Sequence, residues 1–223
     1  MIILNPKSAQ IDRVAGEPAL DQSRLNLEWI KNRFAHPRPW QVEVTDEQRF
    51  NPNHEFQPAS VLIALVQRPS GLNVLFTRRT AHLSHHAGQI SFPGGREEAV
   101  DRDAIQTALR EAQEEIALDQ ARVAVLGQLP VYHTVTGYVV TPVIGAISGT
   151  EVLIADKNEV AEIFEVPLQF LMDGSAHQVR SADITLPDQT TIRRTFYAMP
   201  YNDYFIWGVT AGMLRNLYHF LRA

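Results

Sequence analysis

The sequence predicts an α+β fold or a mixed-sheet sandwich. Short apolar runs bounded by glycine and proline recur between residues 59 and 223, and such runs are typical of strands. Two stretches, 102–118 and 210–221, instead repeat apolar residues with the period of an amphipathic helix. Strands and helices do not alternate strictly, and this order favours a mixed-sheet sandwich.

Local chemistry explains the order of the elements. Arg68-Pro69-Ser70-Gly71 is a turn signal between two apolar runs, which predicts a β-hairpin. Pro167 is tolerated in the first turn of a helix and opens a short one after a strand, and Thr210 has the side chain of a helix N-cap. The predicted strands are 61–67, 72–77, the stretch around Phe92, 122–129, 138–147, 162–166, 177–185 and 190–200, and the predicted helices are 102–118, the turn after Pro167, and 210–221.

Residues 1–58 are predicted to form an N-terminal extension with one helix, at 23–34. Leu27, Ile30 and Phe34 recur at i, i+3 and i+7, so one face of this helix can dock on an apolar surface. Two interpretations follow. The helix either contributes to a homodimer interface or caps the core of its own chain.

Composition excludes several classes of protein. With 223 residues, 45% hydrophobic and 20% charged, the chain has the make-up of a globular protein with a large core. Its formal charge of −5 argues against nucleic acid as the main partner, because such binding depends on clustered Lys and Arg. Cysteine is absent, so any metal site must use oxygen or nitrogen ligands. Secretory-signal features are lacking, and no apolar run approaches the roughly 20 residues of a membrane span, so we expect a cytoplasmic protein without a membrane partner.

Glu111, Glu114 and Glu115 lie at i, i+3 and i+4 in the helix predicted at 102–118. An α-helix turns by about 100° per residue, so these carboxylates share one edge while a separate apolar stripe packs. Like charges this close repel one another, and a cation among them would relieve the repulsion. Two interpretations stand at this point, a divalent-cation site and an ordinary solvated helix face.

A glycine turn directly precedes this helix. Residues 90–95 read as a short buried strand that ends in Gly94-Gly95, and glycine allows positive φ and close approach of the backbone to a ligand. Such a turn places backbone carbonyls beside carboxylate oxygens. These are the hard ligands that Mg²⁺ and Mn²⁺ prefer, so the turn favours the cation site.

The turn and the helix together resemble the signature of the Nudix hydrolases, which is a glycine, an acid six residues on, and Arg-Glu-x-x-Glu-Glu after a further gap. The gap here is one residue longer than usual, so Asp103 is an alternative to Asp101 for the first acid. Ala117 stands where the family favours glycine, which costs about 1 kcal/mol if that position is left-handed. The matching residues are Gly95, Asp101, Arg110, Glu111, Glu114 and Glu115.

The segment 75–95 also resembles the signature of the coenzyme A pyrophosphatase branch of that family. Ser84 stands where the branch has an arginine, a cation for which Arg78 or a nearby histidine could substitute. With three similar segments further along the chain, the resemblance covers residues 59–223. The residues that fit the pattern are Leu75, Phe76, Thr77, Arg79, Gly88 and Phe92 to Gly95.

The resemblance implies a Nudix domain at 59–223 with an α/β/α sandwich, a mixed β-sheet core and flanking helices. It implies that water attacks a pyrophosphate phosphorus and a phosphate ester leaves, with Mg²⁺ or Mn²⁺ neutralising the anionic oxygens. In the coenzyme A branch the products are 4′-phosphopantetheine and adenosine 3′,5′-bisphosphate. ADP-ribose, NADH and dinucleoside polyphosphates are alternative substrates, and a non-catalytic nucleotide-binding module is the alternative of another class.

The resemblance also implies a metal-binding set. Glu111, Glu114 and Glu115 are expected to ligate the metal, with the Gly95 carbonyl as an additional ligand. Arg110 is expected to orient Glu111 or Glu114. Glu111, Glu114 and Arg110 therefore belong to the predicted catalytic set.

The general base and the substrate contacts come from other segments. Glu159 is the first choice for the general base, with Glu162 as the alternative, and the competing interpretation is that both lie on an ordinary surface loop. Arg78 and Arg79 end a predicted strand, and guanidinium groups match phosphate oxygens bidentately. Together with the backbone of Gly94-Gly95, these arginines are predicted to bind the substrate.

Overall fold

A computed structural model describes residues 5–43, 56–81, 88–185 and 189–223. None of the helices within these ranges has the length and apolar character needed to cross a lipid bilayer. The strands are β1 Gln10–Val14, β2 Gln57–Arg68, β3 Gly71–Arg79, β4 Ile90–Ser91, β5 Gly94–Arg96, β6 Ala124–Gln128, β7 Tyr132–His133, β8 Tyr138–Ile147, β9 Val160–Pro167, β10 Gln178–Thr185, β11 Thr191–Tyr201 and β12 Tyr204–Trp207. The helices are α1 Leu27–Ala35, α2 Ala104–Ile116, α3 Leu168–Leu171 and α4 Gly208–Arg222.

Strands β2 to β9 form the central sheet, in which eight strands are described. β2 runs parallel to β8 and antiparallel to β3 and β5, so the sheet is mixed, as the sequence predicts. Side chains along β2 alternate between its faces, with Leu62 and Ala64 packed on one side and Ile63 and Leu65 on the other. The sheet is therefore buried on both faces, which explains the continuous apolar run in this strand.

Each face of the central sheet has its own covering layer. Helix α2 covers the Leu62 face, where its residues Ala108, Ala112 and Ile116 are fully buried. The opposite face carries α1, α3, α4 and a second sheet with the strand order β1-β10-β11-β12. This arrangement confirms the predicted α+β class and the α/β/α sandwich.

Residues 10–35 pack against the C-terminal part of the chain. Strand β1 pairs with β10, and Ile30 of α1 is completely buried in the core that contains α4. The Arg33 guanidinium donates a hydrogen bond from Nε to the Phe220 carbonyl at 2.9 Å. These contacts agree with the interpretation that α1 caps the core. The boundary at residue 58 between an extension and a domain stays a prediction.

A buried ion-pair cluster also fastens the N-terminal segment to α4. The Arg215 side chain, 3% exposed, lies 2.6 Å from Glu17 Oε1 and 2.9 Å from Glu43 Oε2. Its Nη1 also lies 3.0 Å from His177 Nδ1, and His177 Nε2 lies 2.8 Å from the Leu171 carbonyl. Burial lowers the pKa of His177 to about 4, so the ring is neutral, with Nε2 donating to Leu171 and Nδ1 accepting from Arg215.

Two helix starts differ from the predictions. α1 begins at Leu27 rather than at residue 23, because the Asn26 side chain caps it by accepting a hydrogen bond from a backbone N–H. The N-cap prediction for Thr210 is wrong. α4 begins at Gly208, and the Thr210 hydroxyl instead donates to the Ile90 carbonyl at 3.0 Å. This hydroxyl thus joins α4 to β4.

Candidate active site

The acidic edge of α2 runs from buried to exposed. Asp103 caps the helix by accepting a hydrogen bond from a backbone N–H at 2.8 Å, so the first turn is fixed. The exposed fraction of the side chain is 6% for Glu115, 16% for Glu111 and 60% for Glu114. The three predicted metal ligands therefore lie on one edge but have very different access to water.

The glycine pair lies against this edge. Gly94 has φ 156°, and a Cβ there would lie 2.3 Å from the Ser60 carbonyl oxygen, so only glycine fits. At Gly95 a Cβ would lie 2.5 Å from the carboxylate atoms of Glu111. The turn therefore brings its backbone into direct contact with a predicted metal ligand.

Arg110 links the helix to the loop before it. Its Nε and Nη2 each lie 3.0 Å from one oxygen of Asp101, a bidentate pair in which the Asp101 side chain is fully buried. Hydrogen bonding to Arg110 lowers the pKa of Asp101 to about 2. Asp103 caps α2 instead, so Asp101 is the acid that pairs with the signature arginine.

Arg110 also contacts two of the predicted metal ligands. Its Nη1 lies 2.9 Å from Glu111 Oε1 and 3.0 Å from Glu114 Oε2. Because Asp101 holds the other side of the guanidinium, the position of Nη1 is fixed. Arg110 thus contacts both Glu111 and Glu114, and its predicted role in orienting one of them stays a prediction.

The buried end of the edge carries more negative charge than its surroundings compensate. Burial is the main cause that raises the pKa of Glu115 to about 8. Arg79 lowers this pKa, and the negative charges of Glu111 and Glu159 raise it. Burial also raises the pKa of Glu111, against the effect of Arg110. Among the described residues, Oε2 of Glu115 has no hydrogen-bond partner. Such a site gains strongly from a bound cation.

The residues present fit a divalent cation. Within the described ranges no three acidic or histidine side chains already surround a cation position, and Glu111 and Glu114 both lie against Arg110. The donor set nevertheless consists of oxygen atoms, as Mg²⁺ and Mn²⁺ require, and Glu115 offers an unpartnered one. Glu111, Glu114, Glu115 and the Gly95 carbonyl would hold the ion.

Arg79 and Glu159 lie beside the acidic edge. Arg79 Nη1 is 3.9 Å from Glu115 Oε1, and its Nη2 is 4.0 Å from Glu159 Oε2. The Glu159 carbonyl accepts a hydrogen bond from the Thr80 N–H at 2.9 Å, which ties the loop before β9 to the end of β3. The Glu159 side chain is 50% exposed and can meet both water and substrate.

Arg78 and Glu162 face the other side of the central sheet. A β-bulge in β9 shifts the register between Arg78 and Arg79, so that Arg78 lies opposite Glu162 and Arg79 opposite Val160. Val160 packs in the core under α2, whereas Phe164, two residues after Glu162 on the same face, packs in the opposite core. The structure therefore brings Glu159 but not Glu162 to the acidic edge, and Arg79 but not Arg78.

Helix α2 ends at Ala117 in a left-handed conformation, with φ 54° and ψ 29°. This is the conformation that glycine adopts at no steric cost, so the departure from the family pattern places a strained residue directly after the acidic edge. The backbone N–H of Asp156 donates to the Glu115 carbonyl at 2.9 Å, which helps to hold this helix end.

Ser84 and the neighbouring histidines His82, His85 and His86 lie outside the described residues. The predicted substitution of another cation for the arginine expected at position 84 therefore stays a prediction. Tyr204, whose hydroxyl contacts Glu162, could not be predicted from the sequence, because it lies 42 residues after Glu162 and no local pattern links the two residues.

Comparison with known proteins decides the family. The profile of the NUDIX domain matches residues 56–183. The chain belongs to the Nudix family. A Salmonella typhimurium protein named Uncharacterized Nudix hydrolase NudL is 40% identical over 199 residues, which cover 89% of this chain and 96% of the relative. A Salmonella typhi protein of the same name matches to the same extent.

Two solved structures of Nudix proteins are each similar to about half of the chain. RenU, a Nudix hydrolase from M. smegmatis, is 24% identical with a TM-score of 0.44, covering 50% of this chain and 71% of its own. The NUDIX domain of Shewanella oneidensis NrtR, complexed with ADP ribose, is 20% identical with a TM-score of 0.42, covering 51% and 73%.

Family membership confirms the Nudix resemblance and makes the chain a pyrophosphohydrolase. Enzymes of this family act on small nucleotide derivatives and generally use divalent metal ions. The coenzyme A branch and the roles of individual residues stay predictions.

Proposed function

We propose that this Nudix hydrolase uses Mg²⁺ or Mn²⁺ to cleave the pyrophosphate bond of coenzyme A or its acyl derivatives, giving 4′-phosphopantetheine and adenosine 3′,5′-bisphosphate. The observation that supports the chemistry most directly is the Glu115 carboxylate, which is 6% exposed and has an unpartnered oxygen. A buried anion without adequate counter-charge is destabilising unless a cation binds.

Glu111, Glu114, Glu115 and the Gly95 carbonyl hold the cation in this proposal. When bound, it neutralises the non-bridging oxygens of the pyrophosphate and lowers the pKa of the attacking water. Arg110 keeps Glu111 and Glu114 within reach of the ion, since its Nη1 lies within 3.0 Å of both carboxylates.

Glu159 is the general base of the proposal. Its half-exposed carboxylate takes a proton from the water that attacks phosphorus, while the bond from phosphorus to the bridging oxygen breaks and a phosphate ester leaves. Arg79 binds the substrate phosphate, because it lies between Glu115 and Glu159 at 3.9 and 4.0 Å. At these distances neither carboxylate holds it in a close hydrogen bond, so its donors can turn to a phosphate.

The coenzyme A substrate is supported by the segment that resembles that branch. Structural demands explain several of its residues. Thr77 and Phe92 are each 1% exposed, and Gly88 has φ 69°, which favours glycine. Packing does not explain Arg79, whose guanidinium faces the acidic edge. This arginine therefore carries the link between the segment and the substrate.

A metal-dependent assay over coenzyme A, acyl-CoA, ADP-ribose, NADH and diadenosine polyphosphates, with products identified by mass, tests the substrate. We expect coenzyme A or acyl-CoA to have the highest kcat/KM. Faster cleavage of ADP-ribose would move the assignment to the alternative substrates. Tight nucleotide binding without metal-stimulated product release would support a non-catalytic module instead.

Two variants test the base separately from the metal site. Glu159→Gln should lower kcat by about 10²- to 10⁴-fold without weakening Mn²⁺ binding, because Glu159 is not among the proposed ligands. Glu28→Gln, a change in the first turn of α1, is the matched control and should leave both unchanged. A Glu159→Gln enzyme with wild-type kcat would remove Glu159 from this role.

A further inference from the structure

Two consecutive arginines end β3 and face opposite sides of the central sheet. Arg79 faces the acidic edge of α2, and Arg78 faces the other side, opposite Glu162 in the sheet register. Consecutive Cα atoms are about 3.8 Å apart. A substrate that straddles the end of this strand can therefore reach both guanidinium groups, with different chemical groups on the two sides.

Arg78 is held in place by a chain of contacts. Its Nη2 lies 2.6 Å from Glu162 Oε2, and the Tyr204 hydroxyl donates to Glu162 Oε1 at 2.8 Å. The Tyr204 ring stacks on Phe164, with ring centroids 3.7 Å apart and planes inclined by 4°. Hydrogen bonding to Glu162 raises the pKa of Tyr204, so the hydroxyl keeps its proton at neutral pH.

Glu162 thus orients Arg78 without occupying all of its N–H donors. Its guanidinium approaches Glu162 through Nη2, and its side chain is 45% exposed. An arginine guanidinium has five N–H donors, so donors on the side away from Glu162 can bind an anion. The Tyr204 hydroxyl occupies Oε1 of Glu162, and Arg78 meets the same carboxylate at Oε2.

We propose that Arg78 binds a second phosphate, carried on the nucleoside part of the substrate, and that Glu162 and Tyr204 are positioning residues for it. This inference rests on the proposed function, in which Arg79 and the acidic edge take the pyrophosphate. The substrate class it selects is a nucleoside diphosphate derivative with a further phosphate on the ribose. Tyr204 lies beyond residues 56–183, so this selectivity is supplied from outside the matched domain profile.

Binding of two nucleotides tests the inference without any turnover. Calorimetry in the presence of Mg²⁺ compares adenosine 3′,5′-bisphosphate with adenosine 5′-monophosphate, which differ in one phosphate. We expect the wild-type protein to bind the bisphosphate about 10- to 100-fold more tightly, as a charge-assisted hydrogen-bond pair would give. Equal affinity for the two nucleotides would overturn the proposal.

Variants test whether Arg78 and its contacts with Glu162 and Tyr204 cause this difference in nucleotide affinity. Arg78→Met should abolish the preference, and Arg78→Lys should restore part of it because the positive charge returns. Tyr204→Phe keeps the stack on Phe164 and removes only the hydroxyl, so the preference should fall about 3- to 10-fold. In an Arg78→Met background the same change should have no further effect on the preference.

Tyr201→Phe is the matched control, since Tyr201 lies on the same hairpin as Tyr204 and packs on Phe170. It should keep the wild-type preference. If Arg78→Met or Tyr204→Phe keeps it as well, the proposal is wrong. Kinetics separate this failure from that of the proposed function. An Arg78→Met enzyme whose KM rises for coenzyme A but not for dephospho-coenzyme A supports the inference. A wild-type enzyme that cleaves neither compound refutes the proposed function, and the nucleotide comparison then decides the inference.

Discussion

Glu115→Gln tests the electrostatics of the acidic edge, because it replaces a carboxylate that is 6% exposed by a neutral group of similar shape. Burial raises the pKa of Glu115 from 4.5 to about 8. Between these values the folded protein holds a proton that the unfolded chain has released, so stability falls as pH rises. The slope is about 1.4 kcal/mol per pH unit, and metal-free wild-type protein is about 3 kcal/mol less stable at pH 7 than at the lower end of this window.

Urea denaturation in the presence of EDTA, repeated across this pH window, measures the effect. The Glu115→Gln variant should show a flatter dependence on pH and be about 3 kcal/mol more stable than wild type at pH 7. Added Mn²⁺ should stabilise wild type increasingly as pH rises, because a ligating carboxylate must be ionised, and should stabilise the variant less. Glu28→Gln should follow wild type. Parallel pH profiles for wild type and Glu115→Gln would refute the reasoning.

Further variants probe the rest of the structure. Ala117→Gly should raise the free energy of unfolding by about 0.5 to 1 kcal/mol, because glycine adopts the observed φ of 54° without strain. Ala112→Gly in α2 should lower it by at least about 1 kcal/mol, because glycine is a weak helix former and the methyl group of Ala112 is fully buried. Gly95→Ala should weaken Mn²⁺ binding at least about tenfold, since its Cβ displaces the Glu111 carboxylate. Arg215→Met should destabilise the protein by about 3 to 5 kcal/mol in urea denaturation, because its acidic partners stay partly buried without a counter-charge.

Local patterns were sufficient to predict the acidic edge and its surroundings. The helical period of residues 102–118 predicts α2 within two residues at each end, and the glycine pair predicts the turn that touches Glu111. The hairpin of β2 and β3 follows from the Pro-Ser-Gly turn, and the strands predicted at 177–185 and 190–200 pair with each other as β10 and β11. In each case the residues that decide the structure are neighbours in the sequence.

Features that depend on distant residues could not be predicted. Glu159 and Glu162 both appear as candidates in the sequence, and only the pairing of β9 with β3 places Glu162 opposite Arg78, on the face away from the acidic edge. The Thr210 hydroxyl has the chemistry of an N-cap, yet its partner is the Ile90 carbonyl, 120 residues away. Likewise, no period in the sequence connects Arg215 with Glu17, 198 residues earlier.

Manganese binding measured by electron paramagnetic resonance, together with pyrophosphate hydrolysis in the same samples, tests the central claim most directly. The acidic edge is held to bind a divalent cation that activates a pyrophosphate. Glu111→Gln and Glu115→Gln should each lose tight Mn²⁺ binding and turnover together, while Glu28→Gln keeps both. Unchanged Mn²⁺ affinity in the two edge variants, with folding intact, would contradict the claim.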